Sequence, residues 1–348
     1  MSKVLLIGSR QNKFDPTDTG GVTILFELLI YEFQKRNIDF KVIDTLGANN
    51  GGKFKTFFST YYNIIKNIHK YNYISLHATA NTFLYLAPTL ILLSKVLNKQ
   101  VSIRMFAGHF GDVYKTSSGF RKALARFVLK NADSIFFELE HLVKEFKKYN
   151  SNTFWFPNVR SEDIQIDINR KFHKRFVYIG SVNKEKGIDD LCDAIIKLDD
   201  DSICDIYGPC KYENEKYSVE YFKKIGVNYK GSLTADEVQK TMINYDVLVL
   251  PSYREGYPGV IIEAFSQGMP VIATKLPGIL EMCKDDENTI LIDIGEPKQI
   301  LAAMKSFDDE KYERLHQGAK KAFLNFNSNI QTDLFLKRIG YSKSKDKV

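Results

Sequence analysis

Residues 247–264 read VLVLPSYREGYPGVIIEA, which describes a short apolar strand, a polar loop and the start of a helix. The dipeptide Pro258-Gly259 opens the helix, because proline is favoured at a first helical position. Glu255 lies on the loop. Glu263 lies about one turn into the helix, and its side chain can lean back toward the loop because helical side chains tilt toward the N-terminus.

These two carboxylates frame a predicted polar pocket next to free backbone N–H groups. Carboxylates accept hydrogen bonds from vicinal hydroxyls, and a helix N-terminus attracts anions. The pocket therefore suits a molecule with hydroxyls at both ends and an anionic group between them. The alternatives are a favourable charge–dipole contact for Glu263 and a solvated loop position for Glu255.

Strands and helices alternate on both sides of this stretch. Short apolar runs, five up to Phe137 and six from Phe176 onward, are separated by amphipathic segments. This alternation is typical of βαβ units with a parallel sheet. For 348 residues it predicts an α/β protein of two Rossmann-like doubly wound parallel-sheet domains facing across a cleft. The predicted boundaries are 1–160 for the N-terminal domain, 170–325 for the C-terminal domain and 326–348 for a C-terminal helix and tail.

Composition excludes several classes of protein. The apolar content of 44% suits a globular chain with a full core and excludes disorder. The 4 cysteines include no CxxC pair, which indicates a reducing compartment. The N-terminus lacks the pattern of a signal peptide, and the longest apolar stretch, residues 83–97, is too short and too interrupted to span a bilayer. We expect a cytoplasmic protein.

The charge is uneven along the chain. Residues 1–160 contain 22 lysines and arginines against 11 acidic residues, whereas residues 161–348 contain 27 against 31. In the basic half, residues 54–69 and 119–130 place apolar side chains at helical spacing among basic ones. Such helices can lie on anionic membrane surfaces, although an apolar stripe is also typical of a helix face in the core. An anionic membrane surface is therefore a candidate partner; nucleic acid is not expected, because no recognition motif is present.

Two further loops follow predicted strands, where ligands of open α/β sheets bind. Gly20 and Gly21 precede a helix, and paired glycines let backbone N–H groups approach an anion closely; a plain turn is the alternative. This loop is not GxGxxG, so no nicotinamide cofactor is expected. In the loop 180–187, Lys184 and Lys186 precede a helix, where a lysine can neutralise a phosphate; a solvated lysine is the alternative.

The spacing Glu255-x7-Glu263, within Pro-Ser-x-x-Glu-Gly and Glu-Ala-Phe-x-x-Gly-x-Pro-Val-Ile-Ala-Thr, resembles the retaining glycosyltransferases of family 4, which have the GT-B fold. The resemblance extends over nearly the whole chain. Its other motifs are Gly20-Gly21, Tyr73-Ile-Ser-Leu-His77, Gly180…Lys186-Gly187, Tyr207-Gly208-Pro209 and Pro277-Gly278-Ile279…Glu281.

The resemblance implies a role for each of these site residues. Glu263 would hold the ribose of the nucleotide, and Lys186 would grip the diphosphate. Glu255 would face the donor sugar and diphosphate together with the backbone amides that follow it, at Gly256, Tyr257, Gly259 and Val260. Gly20 and Gly21 would approach the same phosphates from the other domain.

One departure from the family pattern concerns the diphosphate. The family usually has arginine after the glycine that ends the first strand of the C-terminal domain, and this sequence has Ser181. That contact is either missing or supplied elsewhere, with Arg254, Arg104 and Lys184 as candidates. Pro258 also removes one N–H donor from the predicted pocket.

Histidines and aspartates complete the candidate set. His109, in a glycine-spaced loop after a strand, is a candidate catalytic residue that orients the donor sugar or the acceptor hydroxyl; a solvated loop histidine is the alternative. His77 is expected to be structural. Asp199-Asp200-Asp201 contains a DxD pattern, but it precedes a strand and is expected to be a solvated turn. No residues show metal-ligand spacing, so no metal and no cofactor is expected.

The resemblance implies a hexosyltransferase that moves a sugar from a nucleotide-diphosphate-sugar to an acceptor hydroxyl with retention, in surface polysaccharide or glycolipid assembly. The acceptor would be a saccharide or a lipid-linked saccharide, and the enzyme would work in the cytoplasm or at the cytoplasmic face of the membrane. Two alternatives stay open: a non-catalytic sugar-nucleotide binding or scaffold protein, and a GT-B nucleotide-sugar epimerase.

Overall fold

The computed structural model describes residues 2–15, 20–106, 108, 110–161, 171–198, 201–210 and 217–342. The chain forms two compact units, one of Met1–Val159 with Ser328–Val348 and one of Arg160–Asn327. Residues 326–348 were predicted to be a separate C-terminal helix and tail. In the structure, Ser328–Val348 belongs to the first unit. Most of the segment between the two predicted domains, and the last residues of the tail, lie outside the described residues.

The first unit contains a parallel sheet with the strand order β2-β1-β3-β4-β5-β6. Its strands are β1 (Val4–Gly8), β2 (Phe40–Asp44), β3 (Tyr73–Ala78), β4 (Gln100–Met105), β5 (Ser134–Phe137) and β6 (Thr153–Trp155). Its helices are α1 (Gly21–Lys35), α2 (Lys53–Asn67), α3 (Ala80–Tyr85), α4 (Ala87–Val96), α5 (Phe110–Thr116), α6 (Gly119–Asn131), α7 (Glu140–Phe146) and, from the end of the chain, α15 (Ser328–Arg338).

The strand order decides which helices share a face of this sheet. The chain moves from β1 outward to β2 and then back past β1 to β3, and right-handed crossovers then place α1 on one face and α2, α4 and α6 on the other. Helix α1 packs against α15, and α4 packs against α6. Phe26 and Phe33 of α1 join Phe335 of α15 in the core of the first unit.

The second unit contains a parallel sheet with the order β12-β11-β10-β7-β8-β9. Its strands are β7 (Arg175–Ile179), β8 (Ile203–Tyr207), β9 (Asn228–Tyr229), β10 (Val247–Leu250), β11 (Val271–Thr274) and β12 (Thr289–Ile292). Its helices are α8 (Ile188–Ile195), α9 (Val219–Lys224), α10 (Ala235–Met242), α11 (Gly259–Ser266), α12 (Pro277–Leu280), α13 (Pro297–Lys305) and α14 (Asp309–Phe323).

The second sheet reverses its order between β7 and β10, which are hydrogen-bonded neighbours. In open α/β sheets, ligands bind beyond the carboxyl ends of the strands at such a reversal. The loops that follow β7 and β10 are therefore the first places to look for a site.

The predicted α/β class, with two doubly wound parallel sheets, is confirmed. One strand was not predicted: β6, which pairs with β5 over three residues. In the described part of the chain, no helix is both long enough and apolar enough to cross a bilayer.

Candidate functional site

The loops after β7 and β10 meet through an ion pair. The Nζ atom of Lys186 lies 2.6 Å from Oε1 of Glu255, and the two side chains are only 25% and 11% exposed. The hydroxyl of Ser252 donates to the same carboxylate oxygen at 2.9 Å. The structure thus brings together two residues that the sequence singled out separately, and it adds Ser252.

The backbone holds these two loops close to each other. Residues Lys184–Lys186 form a short 3₁₀ helix, capped by Asn183, whose side chain accepts from the N–H of Lys186 at 3.1 Å. Gly187 then takes a left-handed conformation with φ of 72°, and a Cβ atom there would lie 2.0 Å from the carbonyl oxygen of Pro251. Only glycine permits this approach.

Ser181 supplies no cation in place of the family's arginine. Its carbonyl oxygen accepts from the hydroxyl of Tyr178 at 2.8 Å. Burial, with the nearby Glu255 carboxylate, raises the pKa of Tyr178 far above its usual range, so the phenol stays neutral. Among the candidates for the missing contact, Lys184 and Arg254 are exposed.

Arg104, the third candidate, lies in the first unit and is fully buried. Its guanidinium lies 3.7 Å from the ring centroid of Phe156 and 4.6 Å from that of Phe106. One nitrogen donates to the carbonyl of Pro157 at 2.9 Å. Arg104 is therefore enclosed by the core, and the suggestion that it contacts a phosphate is not supported.

Glu263 lies in α11, and Pro258 occupies the N-cap position. Its carboxylate is paired with Arg160: the Nε and Nη2 atoms of Arg160 lie 2.8 Å and 2.7 Å from Oε1. The helix begins at Gly259 and Val260, next to this pair. Sequence reasoning placed Glu263 in the site but missed Arg160.

The other predicted donor-binding residues of this unit lie along the same loop. Gly256 and Tyr257 connect Glu255 to the start of α11, and Gly256 is exposed. The Tyr257 side chain is 9% exposed, and its ring lies 6.3 Å from that of Phe326. Gly256 has a close neighbour in Gly278, where a Cβ atom would lie 1.6 Å from the Gly256 carbonyl oxygen.

Gly20 and Gly21 stand at the start of α1 in the first unit. Gly20 is the N-cap residue, with an extended backbone, and as glycine it has no side chain of its own to cap the helix. A Cβ atom at either glycine would meet no described atom within 4 Å. Contacts with the described atoms therefore do not require glycine here, and neither glycine has a side chain that would cover the N–H groups at the helix start.

The remaining predicted residues fall elsewhere. His109, Asp199 and Asp200 lie outside the described residues, while Asp201 forms an ion pair with Lys174. His77 is buried, with Nε2 3.0 Å from the Ser75 hydroxyl, and burial together with Arg104 lowers its pKa well below the usual range. Within the described ranges, no three metal-ligating side chains lie close enough together to hold an ion.

A separate surface feature lies on the first unit. Helix α2 buries Thr56, Thr60 and Ile64, whereas its Phe54 and Phe58 are 83% and 65% exposed. On α6, Phe120 is 79% exposed. We call the exposed aromatic side chains of this face, together with the exposed basic residues beside them, the basic aromatic face; it consists of Phe54, Phe58, Tyr62, Tyr85, Phe120, Lys55, Lys66, Arg121 and Arg126.

Residues 159–322 match the sequence model of a family described as glycosyl transferases group 1. A capsular polysaccharide biosynthesis glycosyltransferase, CapM of Staphylococcus aureus, is 28% identical over 188 residues, which are 49% of this chain and 50% of CapM. An N,N'-diacetylbacillosaminyl-diphospho-undecaprenol alpha-1,3-N-acetylgalactosaminyltransferase of Campylobacter jejuni is 22% identical over 250 residues, 63% of this chain and 65% of that protein.

This chain matches only part of its curated relatives: in three relatives of 28–29% identity, the matched region covers 26% to 50% of the relative's own length. Among solved structures, Alr3699/HepE of Anabaena in complex with UDP superposes with a TM-score of 0.71 at 14% identity, covering 98% of this chain and 100% of that one. At that identity the likeness concerns the fold.

Proposed function

Because residues 159–322 match the model of the glycosyl transferases group 1 family and the fold is that of the GT-B glycosyltransferases, we propose that this protein transfers a sugar from a nucleoside-diphosphate sugar to an acceptor hydroxyl. The observation that carries the proposal is the meeting of Lys186 and Glu255 at the reversal of strand order in the second sheet, with Glu263 on the helix that follows.

Each residue has a role in this proposal. Glu263 accepts a hydrogen bond from a ribose hydroxyl. Lys186 exchanges its contact with Glu255 for one with the diphosphate, and the positive end of α11, at Gly259 and Val260, adds to the charge that opposes the phosphates. Glu255, released from Lys186, accepts from hydroxyls of the donor sugar.

We further propose that the transfer retains the anomeric configuration, as the family 4 resemblance implies. The bond between the anomeric carbon and the diphosphate oxygen breaks, and the acceptor oxygen bonds to the same face of that carbon. The acceptor's proton passes to the departing diphosphate. The protein then contributes positioning and charge stabilisation, and we propose that Lys186 and the start of α11 do this without a metal ion.

In the first unit, the start of α1 at Gly20 and Gly21 is proposed to contact an anionic group of a ligand through backbone N–H groups. His109 remains a proposed residue for orienting the sugar or the acceptor. The family's arginine is replaced by Ser181 in this chain. Arg254 and Lys184, both exposed, are proposed to supply its contact with the diphosphate.

The test starts from a thermal-shift screen of nucleoside diphosphates and their sugar conjugates, because a ligand that binds the native state raises the unfolding temperature. The conjugate that binds is then incubated with the protein, and release of the nucleoside diphosphate and the configuration of the product are followed. Turnover by the wild type that is lost in Glu255→Gln supports a transferase. Binding without turnover would indicate a scaffold protein, and an epimeric nucleotide-sugar product would indicate an epimerase.

We also propose that the first unit docks on an anionic membrane at its cytoplasmic face, where a lipid-linked saccharide acceptor would be found. Residues 45–132, which contain α2, α4 and α6, include 12 lysines and arginines but only one acidic residue, Asp112. The basic aromatic face lies on α2, α3 and α6 of this segment. Aromatic side chains insert at a membrane interface while lysine and arginine attract anionic lipids.

The two faces of α2 support docking rather than a role in the core. Its threonines face the sheet, and its phenylalanines face outward, with the Phe57 ring 5.5 Å from that of Phe58 and 4.8 Å from that of Tyr61. Exposed apolar clusters of this kind mark interaction surfaces. The acceptor named for the Campylobacter jejuni relative is linked to diphospho-undecaprenol, which is consistent with a membrane-bound acceptor here.

A further inference from the structure

Arg160 is the first residue of the second unit, and Asn327 is the last. The two residues pair in a parallel β-bridge, and the N–H of Arg160 donates to the carbonyl of Phe326 at 2.9 Å. The backbone of Arg160 is thus fixed by the segment through which the chain leaves the unit. From there its side chain reaches Glu263, 103 residues later in the chain.

The contact between Arg160 and Glu263 has a definite geometry. Both short distances, 2.8 Å from Nε and 2.7 Å from Nη2, end on Oε1. The two side chains are 15% and 19% exposed, so the pair is mostly shielded from water. An ion pair in such a position is screened less by salt than a surface pair, and two donors of the planar guanidinium fix the position of Oε1.

The helix start is shaped to admit this guanidinium. A Cβ atom at Gly259 would lie 2.4 Å from Nη2 of Arg160, so any larger residue would displace the arginine. The glycine that the family resemblance connects with phosphate approach therefore has a second role in this chain. Gly259 leaves space for the residue that orients Glu263.

We propose that Arg160 is a positioning residue for the nucleotide: by holding Oε1 of Glu263, it turns Oε2 toward the ribose hydroxyls. This inference rests on the proposed function, because it assumes that Glu263 receives a ribose. It assigns a task to the last residue of the predicted N-terminal domain. Lysine at this position would keep the charge but not the paired donors.

The experiment compares ribose with deoxyribose ligands on variant proteins. The nucleoside diphosphate that gives the largest thermal shift, chosen from UDP, GDP and ADP, is titrated calorimetrically beside its 2′-deoxy and 3′-deoxy counterparts. The proteins are the wild type, Glu263→Gln, Arg160→Met and Arg160→Lys. The control is Arg175→Met, which removes an exposed arginine at the opposite end of β7.

We expect the wild type to prefer one ribose ligand over its deoxy counterpart by about tenfold, the size of a hydrogen bond to a charged group. Glu263→Gln and Arg160→Met should both reduce this ratio to nearly one. Arg160→Lys should give an intermediate ratio, and Arg175→Met should keep the wild-type ratio. A merely structural arginine would weaken both ligands equally and leave the ratio unchanged.

The inference is overturned if the ratio is lost in Glu263→Gln but kept in folded Arg160→Met, or if the wild type shows no preference for ribose. If Arg160→Met does not fold, Arg160→Lys decides, and an unchanged ratio in that variant contradicts the inference. Failure of every nucleoside diphosphate to bind the wild type would instead contradict the proposed function itself.

Discussion

Lys186 and Glu255 form an ion pair with 2.6 Å between Nζ and Oε1, and they reach it from strands that are neighbours in the sheet but far apart in the sequence. Lys186 follows β7 and Glu255 follows β10, on either side of the reversal in strand order. Without a ligand, each charge compensates the other. A diphosphate that arrives at this point competes with Glu255 for the lysine.

Replacing Lys186 should weaken the binding of phosphates but not of nucleosides. We expect Lys186→Met to lower affinity for the nucleoside diphosphate by about 10- to 100-fold, because a hydrogen bond between charged groups is lost. Affinity for the nucleoside without phosphates should change little. Calorimetric titration measures both, and Lys197→Met, which removes an exposed lysine after α8, is the control. An equal loss for the nucleoside would mean that the substitution disturbs the whole loop.

Replacing Glu255 should separate binding from turnover. In Glu255→Gln, Lys186 no longer has a carboxylate partner, and the site carries one negative charge fewer beside the phosphates. We expect affinity for the nucleoside diphosphate to stay equal or rise, while sugar transfer falls by about 100-fold or more through the lost contact with the donor sugar. Steady-state rates and titrations on the same preparation measure the two effects. Unchanged turnover in this variant would contradict the role proposed for Glu255 in binding the donor sugar.

The basic aromatic face should control attachment to anionic vesicles. We expect the wild type to float with vesicles of mixed phosphatidylglycerol and phosphatidylcholine at low salt, and the double variant Phe54→Ser with Phe58→Ser to float at least several-fold less, because buried aromatic area is lost. High salt should weaken both, since basic residues contribute.

The control for this prediction removes exposed apolar side chains from the second unit. Ile196 and Leu324 are 54% and 53% exposed, and their double replacement by serine should leave flotation unchanged. If the wild type fails to float at low salt, the membrane proposal is wrong. Equal losses in both double variants would mean that general surface hydrophobicity, rather than this face, causes the attachment.

Glu138 should make the stability of the first unit depend on pH. Burial raises the pKa of Glu138 to about 7, although the charge of Arg104 opposes this, and burial lowers the pKa of Arg104 to about 9, which still leaves it a cation at neutral pH. Because the folded chain holds the Glu138 proton more tightly than the unfolded chain, with its pKa of about 4.3, stability falls as the pH rises from about 4.5 to 7.

The measurement is thermal unfolding between about pH 5 and pH 8 by scanning calorimetry. Glu138→Gln, which keeps the side chain neutral, should flatten the decline and stabilise the protein at pH 8 by at most about 4 kcal/mol. Glu140→Gln, an exposed neighbour on α7, is the control and should follow the wild-type profile. A Glu138→Gln profile parallel to the wild type would contradict the prediction.

The sheets and the central loops could be predicted because their signals are local. Parallel strands leave their carboxyl ends at one edge, where ligands of open α/β sheets bind, so loops directly after predicted strands were candidate sites. Lys186 was found in one such loop, and Glu255 was found separately through its spacing to Glu263. The structure adds the 2.6 Å contact between them, which spacing alone does not specify.

Other features depend on distant packing and could not be predicted. The partner of Glu263 is Arg160, and no local pattern connects residues 103 positions apart. Periodicity identified the apolar stripe of α2 but not the face that packs, because short threonine side chains let the helix lie close to the sheet while phenylalanines are left outside. The return of α15 to the first unit follows from its contact with α1, which local periodicity does not reveal.

Gly187 and Gly226 offer a matched test of how strongly the two central loops are joined. Both glycines have positive φ, 72° and 74°, so alanine costs about 1 to 2 kcal/mol at either position from backbone conformation alone. They differ in their surroundings: a Cβ atom at Gly187 would lie 2.0 Å from the carbonyl oxygen of Pro251, whereas none of the described atoms lies within 4 Å of one at Gly226. Gly187→Ala should therefore lower the free energy of unfolding in urea by about 1 to 3 kcal/mol more than Gly226→Ala does.

Gly187→Ala should also reduce sugar transfer, because relief of the clash moves the loop that carries Glu255 away from Lys186. An equal loss of unfolding free energy in the two variants would mean that the loops after β7 and β10 separate easily. The fold would then not hold the ion pair between Lys186 and Glu255 in place.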